Sequence, residues 1–451
     1  MSLWINLFSR IPKVCSRSTI PLSIINSTNT VHVQSIRTIT STRTTSSVIE
    51  KYTKAYEQAK ITRGHEPLLF TPGPLTTSKT TKAAMLHDLG SRDPKFLAIV
   101  AEIRSQLLTI AGVSKSDGYE CILMQGSGTF GVESTIGTMM PRKGGTLLVA
   151  INGAYGERMV KIADTLNINV VPVRFPEDTA INVSTIIQTI KDYNQKNPSN
   201  PVTHVSTVHH ETTAGVLNDI HTLGTQLHGL HSNIIFMVDS MSAFGAYPVN
   251  LKQSHIHYLV SSSNKCIEGV PGFSFILADR NHLQQCNKNA RSVALDAYSQ
   301  WNGFETNTGQ FRFTPPTHSL LAFRQALSEL DMEGGPNGRL QRYQANHSTL
   351  ITEMKKLGFT SYVESEKEQG CIITTFLVPD DKNFKFSVLY HELEKRGYVI
   401  YPGKTTIVES FRLGTIGQLY PLDIMNLVNT IKDVLQNVLH VKLPVTQAER
   451  K

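Results

Sequence analysis

Lys265 stands in Val-Ser-Ser-Ser-Asn-Lys-Cys-Ile-Glu-Gly-Val-Pro-Gly-Phe, and Asp239 ends the apolar run Asn-Ile-Ile-Phe-Met-Val-Asp. A lysine just past one buried strand and a carboxylate at the end of another suit pyridoxal phosphate chemistry. The amine would hold an aldehyde as a Schiff base, and the carboxylate would keep a pyridine nitrogen protonated so that the ring takes up electrons. Each residue alone has a plainer reading, Asp239 as a turn or cap acid and Lys265 as an exposed loop lysine. Their joint occurrence after two predicted strands, beside a phosphate cup, favours a shared site.

That cup is Gly126-Ser-Gly-Thr-Phe-Gly131. It fits G-x-G-x-x-G after a strand, so a nicotinamide or flavin fold must be weighed. The next strand, however, runs into Ile151-Asn152-Gly153 with no carboxylate at its end to hold a ribose. A monophosphate suits it better: N–H groups at a helix start, with the Ser127 and Thr129 hydroxyls, would bind a phosphate dianion. No Gly-Lys-Ser/Thr follows, which excludes a nucleotide P-loop.

Asn152-Gly-Ala-Tyr155-Gly156 follows the next strand. Tyr155 is either a turn residue or, in a cofactor cleft, a ring that stacks on the pyridine. His209-His-Glu-Thr-Thr213 raises the question of metal, but neighbours on a strand point to opposite sides, so no metal is expected. Its threonine hydroxyls are better placed as donors to a ring oxygen. Arg412, in Glu-Ser-Phe-Arg-Leu-Gly-Thr, is either a surface ion-pair partner or the bidentate anchor of a substrate's acidic group.

The elements that must position these residues alternate between short apolar runs and helical patterns from about 66 to 280. Strands are expected at 121–124, 146–151, 168–173, 204–208, 234–238, 258–260 and 274–277, with helices such as 131–140 and 154–166 between them. This alternation predicts an α/β fold with a mainly parallel seven-stranded sheet covered on both faces. In such a sheet, loops at the carboxyl ends of the strands gather on one edge, so residues distant in sequence converge. Beyond Pro315-Pro316 the pattern changes to a helix at 319–332, a Gly-Gly-Pro-Asn-Gly turn at 334–338, and then strands at 371–377 and 398–401 around a helix at 386–396. The expected organisation is a leader over 1–48, a large cofactor-binding domain over 66–320 and a smaller α+β domain over 321–440.

The chain has 451 residues, 40% hydrophobic and 18% charged, with a net charge of +8. Residues 1–49 hold Arg10, Lys13, Arg17, Arg37 and Arg43 and no acid; without them 39 basic residues face 36 acidic ones. The body is thus nearly neutral, which argues against a nucleic-acid partner. No apolar stretch approaches the roughly 20 residues that span a bilayer. The Ser-, Thr- and Arg-rich leader has the composition of a mitochondrial transit peptide, giving a matrix location, with a cytoplasmic chain carrying a polar tail as the alternative. The five cysteines show no paired spacing and read as reduced thiols.

Seven stretches together resemble the 2-aminoethylphosphonate:pyruvate aminotransferases, a branch of the fold-type I pyridoxal phosphate enzymes close to alanine:glyoxylate aminotransferase. They are Leu-Leu-Phe-Thr-Pro-Gly-Pro-Leu-Thr-Thr-Ser (68–78), Gln-Gly-Ser-Gly-Thr (125–129), Asn-Gly-Ala-Tyr-Gly (152–156), His-Glu-Thr-Thr-Ala-Gly-Val-Leu-Asn (210–218), Val-Asp-Ser-Met-Ser-Ala-Phe-Gly (238–245), Ser-Ser-Asn-Lys-Cys-Ile-Glu-Gly-Val-Pro-Gly-Phe (262–273) and Arg-Phe-Thr-Pro-Pro-Thr-His (312–318). The resemblance implies that Lys265 is the Schiff-base lysine and Asp239 the pyridinium partner. It places Ser127, Gly128 and Thr129 on the phosphate, Tyr155 on the ring and Thr212 at the ring oxygen. Thr314 would reach the phosphate of a neighbouring subunit, making a homodimer part of the site. Arg412 would hold the substrate's acidic group, with Gly73 and Thr76 lining the same pocket. The implied reaction passes the amino group to pyruvate, giving phosphonoacetaldehyde and alanine; alanine:glyoxylate or serine:pyruvate transamination on the same fold is the rival.

Overall fold

Strand formation begins with apolar runs too short for helices. The computed structural model describes residues 42–405 and 408–447. Seven runs form one sheet: β1 (Tyr119–Gln125), β2 (Thr146–Ile151), β3 (Val170–Arg174), β4 (Val202–Val208), β5 (Ile235–Asp239), β6 (Tyr258–Ser262) and β7 (Phe273–Asp279). They lie in the order β1-β7-β6-β5-β4-β2-β3. β7 runs antiparallel to both β1 and β6, and the other pairs are parallel. All seven overlap the strands expected from sequence. β2 and β5 are buried at every position, as a sheet covered on both faces requires.

Helices cover those faces with apolar stripes. α2 (Pro94–Ile110) starts on Asp93, whose carboxylate accepts the Lys95 N–H, and buries Phe96, Val100, Ile103 and Leu107 at helical spacing. Each such side chain contributes about 1.5–3 kcal/mol. α3 (Gly128–Met139) and α4 (Ala154–Thr165) follow β1 and β2 directly.

A second layer is built on a three-stranded antiparallel sheet of β8 (Ile373–Leu377), β9 (Tyr401–Pro402) and β10 (Ser410–Gly414), in the order β8-β10-β9. Phe359, Phe376, Phe384 and Phe386 all pack around Phe411 of β10, with ring centroids 5.6–6.4 Å away. Strand alternation then turns Arg412 away from that aromatic cluster. The run expected as one strand at 398–401 is split, because Tyr398–Val399 pairs in parallel with Leu68–Leu69 whereas Tyr401 pairs with Arg412.

Three expectations need revision. α5 (Thr317–Met332) buries Leu320, Phe323, Leu327 and Leu330 in the core of the seven-stranded sheet, so that core extends past residue 320. The Gly-Gly-Pro-Asn-Gly turn is the start of α6 (Gly335–Lys356): Pro336 sits in the first turn, where its missing N–H leaves no hydrogen bond unmade. The leader lies outside the described residues up to 41, but 42–48 open α1 (Thr42–Arg63), which is fixed by the Arg63–Asp423 ion pair at 2.7 Å. Among the described residues no helix is long and apolar enough to cross a membrane.

Candidate active site

Five strands deliver their carboxyl ends to one edge of the sheet, and a cavity of about 200 Å³ opens there. Ser127, Gly128 and Thr129 after β1, Tyr155 and Arg158 after β2, Thr212 after β4, Asp239 ending β5 and Lys265 after β6 all line it. Seven of the residues expected from sequence therefore converge: Ser127, Gly128, Thr129, Tyr155, Thr212, Asp239 and Lys265.

Lys265 lies across from the loop at 71–76. Its Nζ donates to Pro72 O at 2.7 Å and to Gly73 O at 3.0 Å. Gly73 has φ +103°, and a Cβ there would come within 2.9 Å of Lys265 Nζ and 2.6 Å of Asn264 O. Only glycine admits both the conformation and the approach. Burial lowers the Lys265 pKa, so more of the amine is neutral near physiological pH.

Asp239 is buried, and its Oδ1 accepts the Met241 N–H at 3.0 Å. Burial raises its pKa to about 6. A carboxylate so placed is charged at neutral pH and gains from a cationic or N–H partner in the cavity.

At the other side of the cavity, Ser127 is the N-cap of α3 and makes no side-chain capping bond, which leaves first-turn N–H groups for an anion. Thr129 Oγ1 accepts from Arg158 Nη1 at 3.1 Å, which adds a cation to the cup. A Cβ on Gly128 would overlap Met241 Sδ, so glycine lets the helix start seat against that side chain. Arg158 was not anticipated; its position one turn after Tyr155 was the available signal.

Tyr155 is held by Glu211, whose Oε2 accepts the Tyr155 N–H at 3.2 Å while Oε1 accepts the Thr213 hydroxyl at 2.6 Å. Burial alone would raise the phenol, but the Lys404 ammonium, the Thr212 hydroxyl and the Lys265 ammonium outweigh it and bring the phenol below its usual value. Arg158 and Lys404 both lie over the ring, at 4.8 and 3.8 Å from its centroid. Arg412 is buried; its Nε donates to Pro402 O and its Nη1 to Thr212 O, both at 3.0 Å. Arg412 also hydrogen-bonds the Tyr155 hydroxyl, and its remaining Nη N–H groups are the part left for an acidic group.

Four expected residues are not part of the cavity lining: Gly73 and Arg412, which touch its residues Lys265 and Thr212 from outside, and Thr76 and Thr314. Thr76 is buried, but its Oγ1 accepts the Leu69 N–H at 2.8 Å and it does not line the cavity. It shapes the loop that carries Gly73. Thr314 is exposed on the segment before α5 and does not line this cavity.

The Lys265 loop has a buried anchor that sequence did not reveal. Glu268, at φ +65°, accepts from Arg342 Nη2 at 2.8 Å, Tyr343 Oη at 2.6 Å and Gln418 Nε2 at 3.0 Å. Arg339 Nη1 donates to Cys266 O at 2.5 Å, and Glu333 pairs with both arginines. These contacts tie the residues next to Lys265 to α6 and to the loop after β10. The residues fit a pyridine aldehyde phosphate: an amine, a buried carboxylate and an anion-binding helix start share one small cavity.

The sequence pattern of the class-V aminotransferases matches residues 75–413. Two similar relatives are the 2-aminoethylphosphonate–pyruvate transaminases of Bacillus cytotoxicus and Bacillus mycoides. The first is 43% identical over 374 residues, 82% of this chain and 98% of that protein. The second is 43% identical over 367 residues, 81% and 96%. Among solved structures, the ureidoglycine–glyoxylate aminotransferase of Bacillus subtilis gives a TM-score of 0.75 at 19% identity, covering 84% of this chain and 94% of that one. The alanine–glyoxylate aminotransferase of Nostoc sp. gives 0.73 at 22%, covering 82% and 95%. The fold is that of the fold-type I aminotransferases, and the chain belongs to the class-V aminotransferase family.

Proposed function

We propose that this enzyme transfers the amino group of 2-aminoethylphosphonate to pyruvate with pyridoxal 5′-phosphate, giving phosphonoacetaldehyde and alanine. The observation that carries the cofactor reading is the convergence of Lys265, Asp239 and the α3 N-terminus on one cavity. Similarity at 43% to named phosphonate transaminases supports the substrate. When bound, the cofactor supplies an electron sink for the carbon that bears the amino group.

The chain's own groups do the rest. Ser127, Gly128 and Thr129, with Arg158, hold the phosphate. Asp239, charged above about pH 6, keeps a proton on the ring nitrogen. Lys265, its pKa lowered by burial, moves a proton to and from the reacting carbon. Tyr155 packs against the ring, and the remaining Arg412 N–H groups take the acidic group of either substrate, phosphonate or carboxylate. Exposed Phe130, next to the cup, and Phe313, next to Thr314, support a homodimer in which Thr314 serves the partner's phosphate. The acid-free basic leader supports import into the mitochondrial matrix, which a fusion of residues 1–49 to a fluorescent reporter tests; a cytosolic reporter refutes it.

The deciding experiment offers 2-aminoethylphosphonate, alanine and serine separately to the cofactor-loaded enzyme and follows its visible band. Loss of the band with the phosphonate supports this function. Loss with alanine or serine but not the phosphonate reassigns the enzyme to alanine:glyoxylate or serine:pyruvate transamination.

A further inference from the structure

We propose that Lys404 is a specificity-determining residue that, with Arg412, reads the second negative charge of a phosphonate dianion. The inference rests on the phosphonate reading above. Lys404 follows β9, which pairs with β10, the strand of Arg412, and the two cations meet at one side chain, Tyr155. The Lys404 Nζ lies 3.8 Å from the centroid of Tyr155, and the same phenol also acts on Arg412. Neither Lys404 nor Arg412 has an ion pair with a carboxylate among the described residues, whereas the buried Arg339 and Arg342 of the Lys265 anchor are both paired with glutamates. The one acid that acts on Arg412, Glu211, is already held by the Tyr155 N–H and the Thr213 hydroxyl, so two cations, one half-buried and one buried, stand beside one phenol with no salt bridge of their own.

A carboxylate brings one charge and two oxygens, which the remaining Arg412 N–H groups satisfy by themselves. A phosphonate above its second ionisation brings about two charges and three oxygens, on the pattern of a phosphate monoester with a second pKa near 6. The third oxygen and the second charge are what Lys404 adds to the reading. It therefore separates the two half-reactions: the phosphonate amine needs it, and alanine, the carboxylate amine, does not. A charged hydrogen bond of this kind corresponds to roughly a 10- to 100-fold change in affinity.

The test uses cofactor-loaded wild type, Lys404→Gln and Lys404→Arg, with single-turnover loss of the visible band read against 2-aminoethylphosphonate or alanine concentration. The expected result for Lys404→Gln is a roughly 10- to 100-fold weaker half-saturation for the phosphonate, with its limiting rate and the alanine half-saturation changed less than about threefold. Lys404→Arg restores most of the loss. The wild-type affinity for the phosphonate should also tighten from pH 6 to 8 as the dianion forms, and Lys404→Gln should lose that dependence. Equal weakening for both amines, or failure of Lys404→Gln to hold cofactor, overturns the proposal and makes Lys404 a support for Tyr155. No conversion of the wild type by the phosphonate overturns the proposed function and this inference together, whereas conversion with undiminished Lys404→Gln affinity overturns this inference alone.

Discussion

Acid should unfold this protein through histidines that it buries uncharged. His204, His209 and His210 are 4, 6 and 2% exposed. Burial pushes His204 and His210 down to about 3 and His209 to about 4, from an ordinary value of 6.5. Below pH 6.5 the unfolded chain takes up a proton on each ring, while the folded chain does not until pH reaches about 3–4. The stability they permit is therefore complete above 6.5 and is lost as pH falls. From pH 8 to 5 each ring costs about 2 kcal/mol, so about 6 kcal/mol for three. Asp239 works in the opposite sense, because burial raises its folded pKa to about 6, above its ordinary value of 3.8. It binds a proton earlier when folded and returns about 1.4 kcal/mol over the same range.

These four groups alone give a net loss of about 5 kcal/mol, comparable with the whole stability of many domains, and His282 and His347, each pushed down to about 4 by burial, act in the same sense. In protons, these four groups give a net uptake of about two on unfolding at pH 5.5, a slope near 2.7 kcal/mol per pH unit. Urea midpoints of the cofactor-free protein at pH 5–8 measure it. His210→Leu sharpens the test: neither ring nitrogen has a hydrogen-bond partner in another residue, so replacement removes a titration without removing a bond to a neighbour. The slope should fall by about one proton. A stability that stays flat or rises between pH 6.5 and 5 refutes the reasoning.

Three further outcomes are expected. Lys265→Ala should lower turnover roughly 10³-fold or more, and borohydride should no longer fix the cofactor to the chain; wild-type turnover would remove the central assignment. Gly73→Ala combines φ +103° with a Cβ 2.6 Å from Asn264 O, so it should cost about 1–3 kcal/mol in backbone strain alone and lower turnover by displacing Lys265; an unchanged urea midpoint counts against the close approach. Arg342→Met leaves Glu268 and Glu333 short of a buried partner and should destabilise by about 3–5 kcal/mol, read in the same urea titration, with the loss centred on the loop that carries Lys265.

What was legible in the sequence is what a repeating pattern or a fixed motif encodes. The seven strands could be read because a sheet covered on both faces needs near-continuous apolar runs, and the residues at their carboxyl ends follow from parallel order. Lys265, Asp239 and Ser127–Thr129 therefore meet where expected. The helix Pro94–Ile110 was not among the expected elements, although its Asp-Pro start and apolar stripe are readable, because it carries no chemistry to draw attention. Motif membership does not say which way the Thr76 hydroxyl points, and here it accepts the Leu69 N–H.

Least legible was what depends on pairing between distant segments. Glu268 is one residue in an ordinary loop until Arg339, Arg342, Tyr343 and Gln418, more than 70 residues later, close around it. Charge and spacing in one segment do not specify such partners. The same is true at the substrate end, where β10 buries Phe411 and Leu413 and so turns Arg412 toward Thr212 and Tyr155. The register of Tyr401 with Arg412 then fixes where the segment after β9 leaves the sheet. The cofactor end of this site is written in local motifs of the seven-stranded sheet, and the substrate end in the strand register of the C-terminal layer. Substitutions that change which amine is accepted should accordingly cluster around β9 and β10, while those around β5 and β6 should abolish the reaction with every amine.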